Sequence, residues 1–174
     1  MILKQTALII ATLLINVMNS ASAYAAPEQI YLFRHGEKQT GSNPALTAQG
    51  ATRAEHLVTL LQPHAAIELF SSNYIRTLAT AAPLAEHFNT AVEVYDARDL
   101  VALKAQLLTL QGVVVVIGHS NTTPQLAALL AKSDVALMSE QQYSLYYLLS
   151  KQRDTEDYAI NALTMQLTAE KNQH

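Results

Sequence analysis

The chain has no cysteine and no tryptophan, and its 174 residues include only five glycines and five prolines. Without cysteine there is no disulfide framework and no lipoprotein anchor, so the fold must hold by its core alone. Charge is scarce too. Asp, Glu, Lys and Arg make up 14% of the residues and the formal net charge is −3, which gives no electrostatic footprint for a nucleic-acid partner. Internal repeats, linkers and low-complexity segments are also missing. What is left is a chain that is 50% hydrophobic, long enough for one domain with a proper core and short for two.

The N-terminus reads as an address rather than as fold. Through Ala26 the only charge is Lys4, followed by the short apolar run from Ala7 to Ile15 and the small residues Ser20-Ala21-Ser22-Ala23-Tyr24-Ala25. That is the n-region, h-region and A-x-A pattern of a secretory signal, cleaved after Ala23 or Ala25. The alternative is a buried helix or an uncleaved anchor, for which the run is short. The division expected is therefore a signal peptide over 1–25 and one domain over 26–174. The address would be periplasmic or secreted through a cleaved Sec-type signal, with no stable membrane anchor.

The rest of the chain alternates. Ile30-Tyr31-Leu32-Phe33 is an apolar run that ends abruptly in Arg34-His35-Gly36-Glu37. After a polar link to Pro44, Thr47 is a good N-cap for a helix whose Ala54, Leu57, Val58 and Leu61 recur at helical spacing before Pro63. Residues 66–70 read as a second strand stopping at Ser71-Ser72. A helix follows from near Tyr74, with Pro83 expected to kink it or start a new segment. Residues 91–95 give a third strand. Asp99 can cap a helix over Leu100, Leu103, Leu107 and Leu108. The run Gly112 to Ile117 is continuously apolar and β-branched, as in a strand buried on both faces, and it ends in Gly118-His119-Ser120. Thr123-Pro124 reads as cap and first residue of the next helix. Residues 143–149 and 158–167 suggest an antiparallel edge hairpin, the alternative being a helix over 135–149. Lys171 to His174 is a tail. Strand and helix in alternation predict an α/β fold: a three-layer α/β/α domain with a mostly parallel central sheet and an antiparallel edge hairpin near the C-terminus.

Two strands end in a turn that holds a histidine, His35 and His119. In a parallel sheet both tips share one edge, where ligands bind in open α/β sheets. The helix after Ser72 starts at that edge with Arg76 in its first turn. Arg34, His35, Arg76 and His119 would repel one another unless an anion sat between them. Arginine forks and a helix N-terminus suit phosphate oxygens, so a phosphoryl group is the natural occupant.

The pattern resembles the histidine phosphatase superfamily, in its small, single-domain, phosphoglycerate-mutase-like branch. The resemblance rests on Arg34-His35-Gly36-Glu37, on Leu46-Thr47-x-x-Gly50, on Ser71-Ser72-x-x-x-Arg76-Thr77-x-x-Thr80-Ala81, and on Gly118-His119-Ser120-Asn121-Thr122, in that order. It implies a phosphoric monoester hydrolase with no metal and no cofactor. His35 would be the nucleophile that forms a phosphohistidine, a neutral imidazole whose other nitrogen is held by a partner such as a backbone carbonyl. Arg34, Arg76 and His119 would bind the phosphoryl oxygens. For the general acid, Asp96 directly follows the third strand and is preferred over Asp99, a candidate cap, and over Glu37, read as a supporting or surface carboxylate. Were no acid well placed, substrates with good leaving groups would be favoured.

Other residues have plainer readings. His56, His64 and His87 are expected to be solvated, Arg53 to lie on the surface rather than pair with a carboxylate near the site, Lys38 to be a solvated loop residue rather than one that greets an anionic substrate, and Tyr143, Tyr146 and Tyr147 to pack in the sheet. Two further functions fit the same residues. One is a phosphomutase, disfavoured by the short link from Lys38 to Pro44, which leaves little chain for a lid. The other is a non-catalytic binder of phosphorylated ligands, disfavoured by His35 itself. The partner expected is a small phosphorylated molecule. Its identity and the oligomeric state are not legible.

Overall fold

The computed structural model describes residues 26–153 and 155–167, so the signal peptide expected over 1–25 and the tail expected at 171–174 lie outside the described residues. Six strands form one sheet: β1 (Gln29–Arg34), β2 (Glu68–Ser72), β3 (Val92–Tyr95), β4 (Val113–Gly118), β5 (Leu145–Lys151) and β6 (Tyr158–Thr164). Four helices join them: α1 (Ala48–Leu61), α2 (Ile75–Phe88), α3 (Leu100–Leu107) and α4 (Thr122–Ala131). The sheet order is β3-β2-β4-β1-β5-β6. β1 to β4 are mutually parallel, β5 runs antiparallel to β1, and β6 antiparallel to β5. The hairpin expected at the C-terminal end is thus present at the sheet edge, and the helix over 135–149 is not.

Period-2 alternation divides the core into two. Ile30, Leu32, Val114 and Val116 face α3 and α4 through Leu103, Leu107, Leu126 and Leu130. Tyr31, Phe33, Val115 and Ile117 face α1 and α2 through Leu57, Leu61, Ala81 and Leu84. A strand that is apolar at every position is therefore a strand with a helix layer on each side. Each fully buried leucine, isoleucine or phenylalanine contributes about 1.5–3 kcal/mol.

This layering positions the site. From the tip of β1 the chain turns to the α1 face, and from the tip of its neighbour β4 it turns to the α4 face. A crevice opens where adjacent strands send their connections to opposite sides. It lies between Arg34 and Gly118, and a hydrogen bond of 3.0 Å from His35 N to Gly118 O extends the pairing one residue further.

Local details follow the expected chemistry, with two corrections. Thr47 caps α1 by accepting from Gly50 N at 3.1 Å, and Asp99 caps α3 by accepting from Ala102 N at 2.9 Å. α2 runs through Pro83 as a single element. α4 begins at Thr122, two residues earlier than the Thr123 cap implied, because Thr122 Oγ1 accepts from His119 N at 3.0 Å and closes the turn sooner. Pro124 is then the third helical residue, still within the first turn, where no intrahelical partner waits for an N–H.

Candidate active site

The turn after β1 is shaped by two glycines in contact. A Cβ on Gly36 would lie 2.5 Å from Gly50 O, and one on Gly50 would lie 2.1 Å from Glu37 O. Only glycine at both positions lets the first turn of α1 sit against the Arg34-His35-Gly36-Glu37 backbone, where Thr47 N also donates to Glu37 O at 2.8 Å. Gly36 N donates to Thr80 Oγ1 at 3.0 Å, which ties the same turn to α2. The spacing of these blocks along the sequence is therefore a packing requirement of one turn.

His35 is 2% exposed. Its Nδ1 lies 2.6 Å from Gly36 O. A carbonyl only accepts, so the proton sits on Nδ1 and the lone pair on Nε2, which makes no hydrogen bond among the described residues. Burial above all, with Arg34, Arg76 and His119 adding to it, pushes the His35 pKa down to about 3 despite the opposing carbonyl bond. A neutral imidazole with a held Nδ1 and an available Nε2 is the form a nucleophile needs.

His119 is held differently. Arg76 Nη2 approaches its Nδ1 at 3.3 Å, and Ser72 Oγ lies 2.9 Å from its Nε2. A guanidinium only donates, so Nδ1 accepts and the proton is on Nε2, directed at Ser72. Ser72 Oγ donates in turn to Thr77 Oγ1 at 3.1 Å, and Thr77 Oγ1 to Ser72 O at 2.7 Å. Burial, then Arg76 and Arg34, push the His119 pKa down to about 4. The two imidazoles meet edge to face with centroids 5.5 Å apart.

The cleft between these tips has a volume of about 330 Å³, and Arg34, His35, Arg76 and His119 all line it. Arg34 Nε and Arg76 Nε are buried with no hydrogen-bond partner among the described residues. An unpaired buried donor costs about 1–3 kcal/mol, more when charged, and an oxyanion recovers that cost. The Nη atoms of Arg34 have a second duty: Nη1 donates to Ser139 O and Glu140 O at 3.0 Å each, and Nη2 to Glu140 Oε2 at 3.0 Å. Among the described residues no group of three or more His, Cys, Asp and Glu is placed to hold a metal ion.

The carboxylates named from sequence are placed as follows. Glu37 faces Arg53, whose Nε donates to Oε2 at 2.9 Å. Burial pushes the Glu37 carboxyl up and the Arg53 fork pulls it down further, leaving it below its ordinary value. Asp99 is the α3 cap. Asp96 lies at the tip of β3 but lines a neighbouring cavity of about 440 Å³ rather than the cleft. Arg98 Nη2 donates to Asp96 Oδ2 at 2.8 Å, and that pairing lowers the Asp96 pKa to about 2.

Four expectations are corrected. Arg53 is buried, not superficial, because Glu37 offers it a bidentate partner behind the turn. Tyr143 precedes β5 and does not pack in the sheet as Tyr146 and Tyr147 do. Its ring lies under the Arg34 guanidinium, 4.0 Å from the centroid. Lys38 lines the cleft. His64 is not simply solvated, since its Nε2 lies 3.1 Å from Tyr31 Oη. Sequence reasoning passed over Glu140 and Tyr74, whose ring meets His119 edge to face at 4.9 Å. Glu140 belongs to no motif, and nothing along the chain signals that the segment between α4 and β5 returns to the tip of β1.

Comparison with known proteins agrees with this geometry. Residues 30–100 match the model of the histidine phosphatase superfamily (branch 1). The protein histidine phosphatase SixA, solved with tungstate, superposes with a TM-score of 0.62 at 18% identity, covering 78% of this chain and 96% of that one. A mycobacterial glucosyl-3-phosphoglycerate phosphatase, solved with inorganic phosphate, gives a TM-score of 0.61 at 16% identity, covering 80% of this chain and 98% of that one. No curated protein matches the chain. The resemblance read from the motifs is therefore confirmed, and the fold is the α/β fold of histidine phosphatases.

Proposed function

We propose that the protein is a metal-independent phosphatase that hydrolyses phosphate monoesters of small molecules through a phosphohistidine on His35. The observation that carries this reading is the Nδ1 contact to Gly36 O at 2.6 Å, which leaves Nε2 as an available lone pair in a cleft lined by two arginines. Nε2 attacks phosphorus and the bond to the leaving oxygen breaks. Water then displaces the imidazole and releases phosphate. Arg34 and Arg76 hold the phosphoryl oxygens and stabilise the charge spread over them in the transition state, with His119 positioning Arg76 through its Nδ1, work that a metal ion performs in other phosphoryl-transfer sites. Asp96 would have to leave Arg98 to serve as proton donor. Two proteins of the same fold were solved with tetrahedral oxyanions, tungstate and phosphate, which supports a phosphoryl occupant.

The test is turnover of an aryl phosphate by the full chain in the presence of a chelator, beside His35→Ala. Turnover by the wild type and none by the variant is expected. No turnover by either, with phosphate still bound, would favour the non-catalytic binder. Export is part of the same proposal and rests on the pattern of residues 1–25. Fractionation of expressing cells, with N-terminal mass determination, is expected to find a periplasmic or secreted protein beginning near Tyr24 or Ala26.

A further inference from the structure

Protonation of the leaving oxygen is the one task to which the cleft assigns no obvious residue. Glu37 is held by Arg53, Asp99 by the α3 cap and Asp96 by Arg98. Among the described residues one carboxylate lines the cleft itself, that of Glu140. It comes from the segment between α4 and β5, and its side chain is 68% exposed. Oε2 accepts from Arg34 Nη2 at 3.0 Å and Oε1 from Ser120 Oγ at 2.6 Å.

We propose that Glu140 is the general acid and base of this reaction, an inference that rests on the phosphohistidine reading above. Ser120, and after it Arg34 and Lys38, keep its carboxyl below the ordinary value in the free protein. Substrate reverses those influences. The phosphoryl group competes for Arg34, which weakens the pairing that favours the carboxylate, and brings negative charge beside Glu140. Losing an opposite charge and gaining a like one both raise a carboxyl pKa. The group that needs a proton thus makes its neighbour able to carry one. The chemistry balances. In the first step His35 Nε2 bonds to phosphorus, the ester P–O bond breaks, and the Glu140 proton passes to the leaving oxygen. In the second, Glu140 takes a proton from water, the water oxygen bonds to phosphorus, and the P–N bond breaks. Water is consumed, and an alcohol and phosphate are released.

The test compares Glu140→Gln with wild type on two probes, an alkyl phosphate and nitrophenyl phosphate, whose phenolate leaves without a proton. The proposal expects kcat/KM for the alkyl ester to fall about 100-fold or more, within the usual range for a general acid, and the nitrophenyl ester to change only a few-fold. An equal loss on both esters would overturn it. So would a lower KM with an unchanged response to leaving group, which would make Glu140 only a latch that occupies Arg34. Vanadate binding by the variant confirms an intact cleft. Should Glu140→Gln fail to fold, Glu140→Asp, which keeps the carboxyl and shortens its reach, is expected to show the same dependence on leaving group. Wild-type turnover that His35→Ala abolishes establishes the parent reading separately, so the two fail independently.

Discussion

The tips of β1 and β4 are near-twins in position and opposites in chemistry. Each ends a buried strand, each delivers a histidine to one crevice, and the two imidazoles touch. His35 donates from Nδ1 to a backbone carbonyl, and its Nε2 has no hydrogen-bond partner among the described residues. His119 has both nitrogens engaged, one by Arg76 and one by Ser72. Fold position brings a histidine to the site. The hydrogen bonds around the ring decide whether its lone pair is available for attack or committed to holding a guanidinium.

The sharpest way to break this comparison is to remove each ring in turn. His35→Ala is expected to abolish turnover, a loss on the order of 10⁵-fold or more, as for other deleted nucleophiles. His119→Ala removes the ring that Arg76 rests against and is expected to lower kcat about 10²–10³-fold without abolishing the phosphoenzyme. Equal losses would mean that the two rings act as one unit. Steady-state kinetics on one aryl phosphate decides this. Ser72→Ala frees the His119 Nε2 proton while leaving His35 untouched, and a loss of roughly tenfold in kcat/KM is expected from one fewer positioning bond. Gly50→Ala acts only on the β1 side. Its Cβ would meet Glu37 O at 2.1 Å, so denaturant unfolding is expected to show a stability loss of about 1–3 kcal/mol, with the β4 tip unaffected.

The most gradual effect is on pH. Both histidines have lowered pKa values in the fold, about 3 for His35 and about 4 for His119, against an ordinary 6.5. The unfolded chain therefore binds more protons between these values. Stability is full above pH 6.5 and is lost as pH falls toward the folded values. The slope is at most about 1.4 kcal/mol per pH unit for each ring, less where solvent screens it. Denaturant midpoints measured across that range should flatten in either His→Ala variant, and more in the His35 variant.

How much of this was legible beforehand divides along the same line. Elements with a period were readable. The unbroken apolar runs of β1 and β4 announced strands covered on both faces, and Thr47 and Asp99 announced helix starts. Arg34, His35, Arg76 and His119 were legible because parallel strands place their tips on one edge. What depended on pairing between distant residues was not. Arg53 reads as a surface cation until Glu37 is seen beside it. Tyr143 reads as the first residue of a strand, yet it falls just short of β5 and lies under Arg34. Glu140 sits on an irregular segment whose path no local propensity encodes. The proton donor was expected by analogy of position at the tip of β3, where Asp96 instead takes its partner from Arg98 two residues on.

The central claim is that the available Nε2 of His35, and not His119, bonds to phosphorus. Rapid-quench labelling of the protein with a phosphate monoester, followed by peptide mapping under conditions that preserve phosphoramidates, tests it directly. The account predicts phosphate on His35, absent in His35→Ala and still trapped in His119→Ala. Label on His119, or undiminished turnover by His35→Ala, would contradict it.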